Sequence, residues 1–240
     1  MPRDLTPAQL TGLDETHLVT LPGGHRLVGE AAEAFADLKE EAARAGFDLA
    51  VASSFRSFSR QLDIWNGKAS GARPVHDDAG SPVAVASLTP AQRLYAILRY
   101  SAIPGTSRHH WGTDLDVYDA AAVARDYRVR LTPSEVAPGG VFDPLHRWLD
   151  ERMAAGASRG FYRPYGEDRG GVAPERWHLS YAVLSERCAA QCTPSLLRGA
   201  WDSGADGGGV LLRAEIEAHW PEIYRRFIAV PRDWVLPGRA

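Results

Sequence analysis

Cysteine and lysine are scarce in this 240-residue chain. There are two cysteines, Cys188 and Cys192, too few for a disulfide-dense secreted scaffold. They lie four apart, on one face of a predicted helix, where a disulfide would close too short a loop to stabilise much. Free, buried thiols are the expectation. Lysine occurs at Lys39 and Lys68 only, and the other 25 of the 27 basic residues are scattered arginines. Long apolar runs are missing too. None exceeds five residues, as in Ala120 to Ala124, far short of a membrane-spanning helix. A net charge of −3 and the lack of a basic stripe argue against a nucleic-acid partner, and so against a nuclease. The first residues lack the apolar core of a secretory signal, so the chain as written reads as cytoplasmic, or as periplasmic or envelope-bound if a signal has been removed. Apolar residues at 45% and charged residues at 24% are the mix of an ordinary globular protein.

Three helix starts are written in one form. Thr6-Pro7-Ala8-Gln9, Thr89-Pro90-Ala91-Gln92 and Thr132-Pro133-Ser134-Glu135 each put Thr at the N-cap, Pro at the first helical position and Gln or Glu at the third. Residues 30–45 carry Ala31, Phe35, Leu38, Ala42 and Ala45 at helical spacing before Gly46. Further helices are predicted over 56–66, 90–101, 141–155, 184–191, 210–220 and 221–230. Strands are predicted over 47–53, 113–118 and 177–183. Residues 67–88 and 166–174 read as loops, and 204–209 as a flexible break. Strands and helices do not alternate regularly, which predicts an α+β fold over a doubly wound sheet.

Three clusters carry candidate chemistry. In the first, residues 104–116, His109, His110, Asp114 and Asp116 lie within eight residues beside Gly105 and Gly112. On a strand, Asp114 and Asp116 share one face while Leu115 and Val117 take the other. A histidine from the loop and an aspartate from the strand then face one point, a donor set that suits zinc, although a solvated polar turn would look the same. The second cluster is Glu175-Arg176-Trp177-His178. In a straight strand its acid and histidine would face opposite ways, so joint action requires a bend near Arg176. The third, Ser53 to Gln61, sits where a strand passes into a helix, a place for an anionic or oxyanionic group.

Taken in order, the clusters read Ser-x-x-Arg-x-x-x-x-Gln, Ser-x-His-x-x-Gly-x-x-x-Asp and Glu-x-x-His. This resembles the zinc D-alanyl-D-alanine peptidases, the family of the vancomycin-resistance D,D-dipeptidases and D,D-carboxypeptidases, over roughly residues 47–181. The wording around Ser107 to Gly112, Arg163 to Tyr165 and Gly170 to Val172 is similar to the carboxypeptidase-like branch. The resemblance implies a hedgehog/D,D-peptidase-like α+β fold, with a small, largely antiparallel sheet carrying one zinc ion per chain and helices flanking it. It implies one domain over 1–240, with a family-like core at about 47–181, an N-terminal helical segment at 1–46 and a C-terminal helical extension at 184–240.

It also implies His109, Asp116 and His178 as zinc ligands and Glu175 as general base. Arg56 would stand near the scissile carbonyl, Gln61 and Ser107 would hold the substrate carboxylate, and Trp177 would support the Glu175–His178 turn. Asp114, on the same strand face as Asp116, is expected to orient a ligand, the alternative being that it is one. The implied activity is removal of the C-terminal D-Ala from peptidoglycan stem peptides or another peptide ending in D-Ala-D-Ala. The alternatives are L,D-carboxypeptidase or endopeptidase action on the same fold, or a catalytically silent zinc-bearing binding module. His17, His25, His76, His146 and His219 belong to no motif and are expected at the surface or in packing. Trp201, Trp220 and Trp234 are expected to pack.

Overall fold

Asp114, Asp116 and His178 are carried by a four-stranded antiparallel sheet, and the other polar residues singled out above stand on the segments that flank it. In the computed structural model, which describes residues 4–203 and 209–229, the chain runs through α1 (Pro7–Leu10), β1 (Leu18–Thr20), β2 (Arg26–Val28), α2 (Gly29–Arg44), β3 (Leu49–Ser53), α3 (Phe58–Ala69) and α4 (Pro90–Leu98). It continues through β4 (Asp114–Asp119), α5 (Pro133–Val136), α6 (Asp143–Ala154), β5 (Phe161–Tyr162), β6 (His178–Tyr181), α7 (Ala182–Gln191), α8 (Pro194–Ser203), α9 (Arg213–Ala218) and α10 (Trp220–Ile223). The three Thr-Pro starts open α1, α4 and α5, each with both halves of the capping box formed.

The sheet order is β3-β4-β6-β5, every pairing antiparallel. β4 is central, so register alone sets Asp116 opposite Ser53 on one side and His178 on the other. Asp114 likewise pairs with Ser180. The alternation expected for β4 is met. Leu115 and Val117, fully buried, face a core with Leu49, Phe161 and Leu179, closed by Phe35 and Leu38 of α2 and Leu145 and Leu149 of α6. Burial of each such side chain stabilises by about 1.5–3 kcal/mol. That apolar face pins the register, because a slip of one residue would bury Asp114 and Asp116 among leucines.

A second core lies over α3 and α4. Phe58, Trp65, Leu94 and Ile97 pack there with Trp111 and with Leu197, Trp201, Ile216 and Trp220 from the C-terminal helices. The indole of Trp65 donates to Leu211 O and that of Trp201 to Pro104 O, both at 2.9 Å. Cys188 and Cys192 are buried in this cluster as free thiols, and burial pushes both up to about 12. Most of the expected break at 204–209, and Trp234, lie outside the described residues. Among the described residues no helix is long and apolar enough to cross a membrane.

The turn into β4 depends on a glycine. Gly112 has φ +71° and its carbonyl accepts from Val28 N at 2.9 Å. A Cβ there would stand 2.3 Å from Leu18 Cδ2, so both the backbone and the space demand glycine. The small β1–β2 hairpin is thereby held against the loop that carries the histidines.

Candidate active site

The loop Arg108–Trp111, a 3₁₀ turn ahead of β4, separates its two histidines. His110 is fully buried, with Nδ1 2.5 Å from Arg56 O and Nε2 accepting from Gly105 N at 3.1 Å. Both nitrogens are engaged by backbone, and burial, with Arg56 close by, lowers the ring to about 3. His109 turns the other way. Its Nδ1 meets Ser54 O at 2.9 Å, and its Nε2 lies 3.4 Å from Asp116 Oδ2.

His178 arrives from β6. The bend expected before it is present: His178 N donates to Glu175 O at 3.0 Å, and Trp177 O accepts from Val117 N at 3.0 Å. This turn puts the Glu175 carboxylate on the same side as the ring, with Oε2 3.3 Å from His178 Nδ1. The same Nδ1 is 3.5 Å from Asp116 Oδ1, and Nε2 is 2.8 Å from Asp114 Oδ2. Burial disfavours the charged ring, but the hydrogen bonds to Asp114 and Glu175 and the nearby Asp116 carboxylate outweigh it and raise it to about 9.

One ligand atom each from His109, Asp116 and His178 therefore converges, all within 4.8 Å of one another. Asp116 Oδ1 is buried without a hydrogen-bond partner. Each imidazole is fixed through its other nitrogen, His109 by a carbonyl and His178 by a carboxylate. That is the way metal-binding histidines are held, with tautomer and ring plane set from behind. A soft-to-borderline cation with N and O preferences, zinc above all, fits this donor set, and three protein ligands leave room for a fourth.

The group opens onto a cavity of about 610 Å³, which is also lined by Arg56, Lys68, Ser107, Glu175 and Trp177. Arg56 is positioned by donating to Gln61 Oε1 at 2.8 Å and Ser53 Oγ at 3.3 Å. Gln61 stands behind Arg56. It is fully buried, its Nε2 donates to Ala102 O at 2.6 Å, and it does not line the cavity. Its Oε1 accepts from Arg56, so it braces that guanidinium from within the fold. His76 is exposed, as expected, and lines the cavity with Val75 and Asp77. The expected loop 67–88 begins later, because α3 runs on to Ala69, and its residues 75–80 form a wall of the site. His146 is fully buried in α6, as a packing residue would be.

Four contributors had no role assigned from the sequence. Tyr165 lies edge-on to the His178 ring at 5.1 Å and accepts Glu175 N through its carbonyl at 2.9 Å. Arg108, a variable position inside the Ser-x-His motif, donates to Asp114 Oδ2 at 2.8 Å, to Ser180 Oγ at 2.7 Å and to Tyr162 OH at 2.9 Å. Ser180 in turn donates to Asp114 Oδ1 at 2.8 Å. Lys68 reaches the cavity from the last turn of α3. Its only sequence signal is its rarity.

Comparison with known proteins agrees with this architecture. An uncharacterized protein of Haemophilus influenzae is 48% identical over 103 residues, 41% of this chain and 70% of that protein. A second from the same organism is 31% identical over 128 residues, 52% of this chain and 92% of that one. Among solved structures, VanYB in complex with D-alanine-D-alanine matches with a TM-score of 0.50 and 21% identity, over 85% of this chain and 90% of that one. A variant of the vancomycin-resistance D,D-pentapeptidase VanY in complex with Zn(II) matches with a TM-score of 0.50 and 22% identity, over 84% and 90% of the two chains. At that identity the likeness is one of fold. The family model VanY, D-alanyl-D-alanine carboxypeptidase, matches residues 24–184, a span that includes the whole four-stranded sheet and all three convergent ligand residues. The chain belongs to the VanY family of D-alanyl-D-alanine carboxypeptidases.

Proposed function

We propose that this family member is a zinc-dependent D,D-carboxypeptidase that removes the terminal D-Ala from peptidoglycan stem peptides or other peptides ending in D-Ala-D-Ala. The observation that carries the reading is the convergence of His109, Asp116 and His178 on one point, with the Glu175 carboxylate beside it and not needed as a ligand. One zinc per chain would be held by those three residues. When bound, it supplies a Lewis acid for the peptide carbonyl and acidifies water toward neutral pH.

The chain's own residues do the rest. Glu175 accepts the proton of the attacking water as its oxygen adds to the carbonyl carbon. Arg56, oriented by Gln61 and Ser53, faces the oxygen on which negative charge develops. As the C–N bond breaks, Glu175 returns the proton to the leaving amine. Asp114 holds the His178 ring from behind, Trp177 belongs to the turn that presents Glu175, and Ser107 lines the cavity where the substrate end would lie. A silent binding module has no use for a carboxylate and a guanidinium aimed into one cavity.

The test is to incubate the zinc-loaded protein with a pentapeptide ending in D-Ala-D-Ala and weigh the products. Loss of a single D-Ala is expected. Glu175→Gln should slow that reaction by about 10²–10⁴-fold with zinc content unchanged. Loss of a dipeptide, an internal cut, or an unaffected Glu175→Gln protein would contradict the reading.

A further inference from the structure

We propose that Lys68 receives the terminal carboxylate of the substrate and thereby confines cleavage to the last peptide bond. The inference rests on the peptidase reading above and deepens it by naming the group that reads the substrate's end.

Composition makes Lys68 conspicuous. Arginine fills 25 of the 27 basic positions, and the other lysine, Lys39, is a surface residue paired with Asp48. Lys68 is at a different kind of place. Gln61, Trp65 and Lys68 are spaced to share one face of α3. Gln61 and Trp65 are fully buried on that face, and Lys68, one turn further on, meets the cavity. The ammonium donates to Ser101 Oγ at 2.6 Å. An ammonium has three donors, so two remain. No carboxylate of the described residues forms an ion pair with it.

The charges around the cavity leave room for an anion. Asp116 belongs to the convergent ligand group and Glu175 is the proposed base. Arg108 is paired with Asp114, and Asp77 and Arg130 line the cavity as exposed residues. Arg56 and Lys68 are half-buried cations bonded only to neutral partners, Arg56 to Gln61 and Ser53, Lys68 to Ser101. Arg56 has a role at the reacting carbonyl. Lys68 has none until a negative group arrives. Ser101, Ala102, Thr106 and Ser107 all line the same cavity, so the segment that holds the ammonium leads directly to His109. Burial lowers the Lys68 ammonium, and the Glu175 carboxylate only partly offsets this; an incoming carboxylate relieves that cost. Lysine suits the task because a compact ammonium on a flexible stem can follow a small terminal carboxylate.

The experiment pairs one D-Ala-D-Ala-terminated peptide with its C-terminal amide. Hydrolysis of both is followed with the zinc-loaded parent, Lys68→Met and Lys68→Arg, after thermal melts show each variant folded. Binding of both peptides to zinc-loaded Glu175→Gln, with and without Lys68→Met, is measured by calorimetry. The parent should prefer the free acid. Lys68→Met should raise KM for the acid by about 10- to 100-fold, the worth of a charged hydrogen bond, leave kcat and the amide nearly unchanged, and weaken binding of the acid alone. Lys68→Arg should recover part of the preference. An intact preference in Lys68→Met, or equal losses on acid and amide, would overturn the role of Lys68 while leaving the peptidase reading standing. A parent that cleaves neither peptide would remove the peptidase reading, and this inference with it.

Discussion

Asp114 and Asp116 leave β4 on the same face, two residues apart and closed to solvent, yet their surroundings differ. Asp114 is saturated. Its Oδ2 accepts from Arg108 Nε and meets His178 Nε2, both at 2.8 Å, while Oδ1 accepts from Thr113 Oγ1 at 2.7 Å and Ser180 Oγ at 2.8 Å. Burial alone would raise its carboxyl, but the Arg108 charge and the His178 hydrogen bond hold it well below the usual carboxylate range. Asp116 has a bare buried oxygen and faces two histidine nitrogens at 3.4 and 3.5 Å. Residue type, burial and strand face do not tell the two apart. Their hydrogen bonds do, because a saturated carboxylate has little left for a metal and an unsaturated buried one requires a partner. His110 and His109 repeat the contrast one loop earlier, the first bonded at both nitrogens and the second at one.

The strongest way to break this comparison is to neutralise the saturated side. Asp114→Asn leaves the Arg108 guanidinium buried without a counter-charge, which should lower the unfolding free energy by about 3–5 kcal/mol. Denaturant melts check it, and a loss below about 1 kcal/mol, the scale of an exposed pair, would show that the Arg108–Asp114 pair is not what holds this region. A smaller effect sharpens the histidine contrast. His110→Ala strips a bonded partner from two backbone groups and should cost about 1–3 kcal/mol while zinc content is kept. Elemental analysis of His110→Ala beside His109→Ala reads the difference, and an emptied site in the first with a filled one in the second would exchange their roles.

Local chemistry explains what was legible in the sequence. Thr-Pro-x-Gln/Glu marks a helix start wherever it occurs, because the cap is satisfied within four residues. The alternation through Asp114–Tyr118 needs only the strand period. β1, β2 and β5 are two or three residues long, too short for a period, and exist because partners elsewhere in the chain pair with them. The convergent histidines and aspartate were reachable through the order and spacing of three motifs, not through periodicity. Gln61 shows what spacing leaves to packing. Its spacing from Arg56 is right for the family pattern, but which way a helical side chain turns is decided by packing, here against Ala102. Lys68 and the 75–80 wall come to the cavity through tertiary folding alone.

The central claim is that Asp116, and not Asp114, completes the metal site with His109 and His178. The direct measurement is zinc content per chain in the parent, Asp114→Asn and Asp116→Asn proteins, each loaded with excess zinc, freed of unbound metal and analysed together. The account predicts one zinc in the parent, a filled site in Asp114→Asn with affinity weakened by about 10- to 100-fold, and a largely empty site in Asp116→Asn. Zinc retained by Asp116→Asn and lost from Asp114→Asn would contradict it.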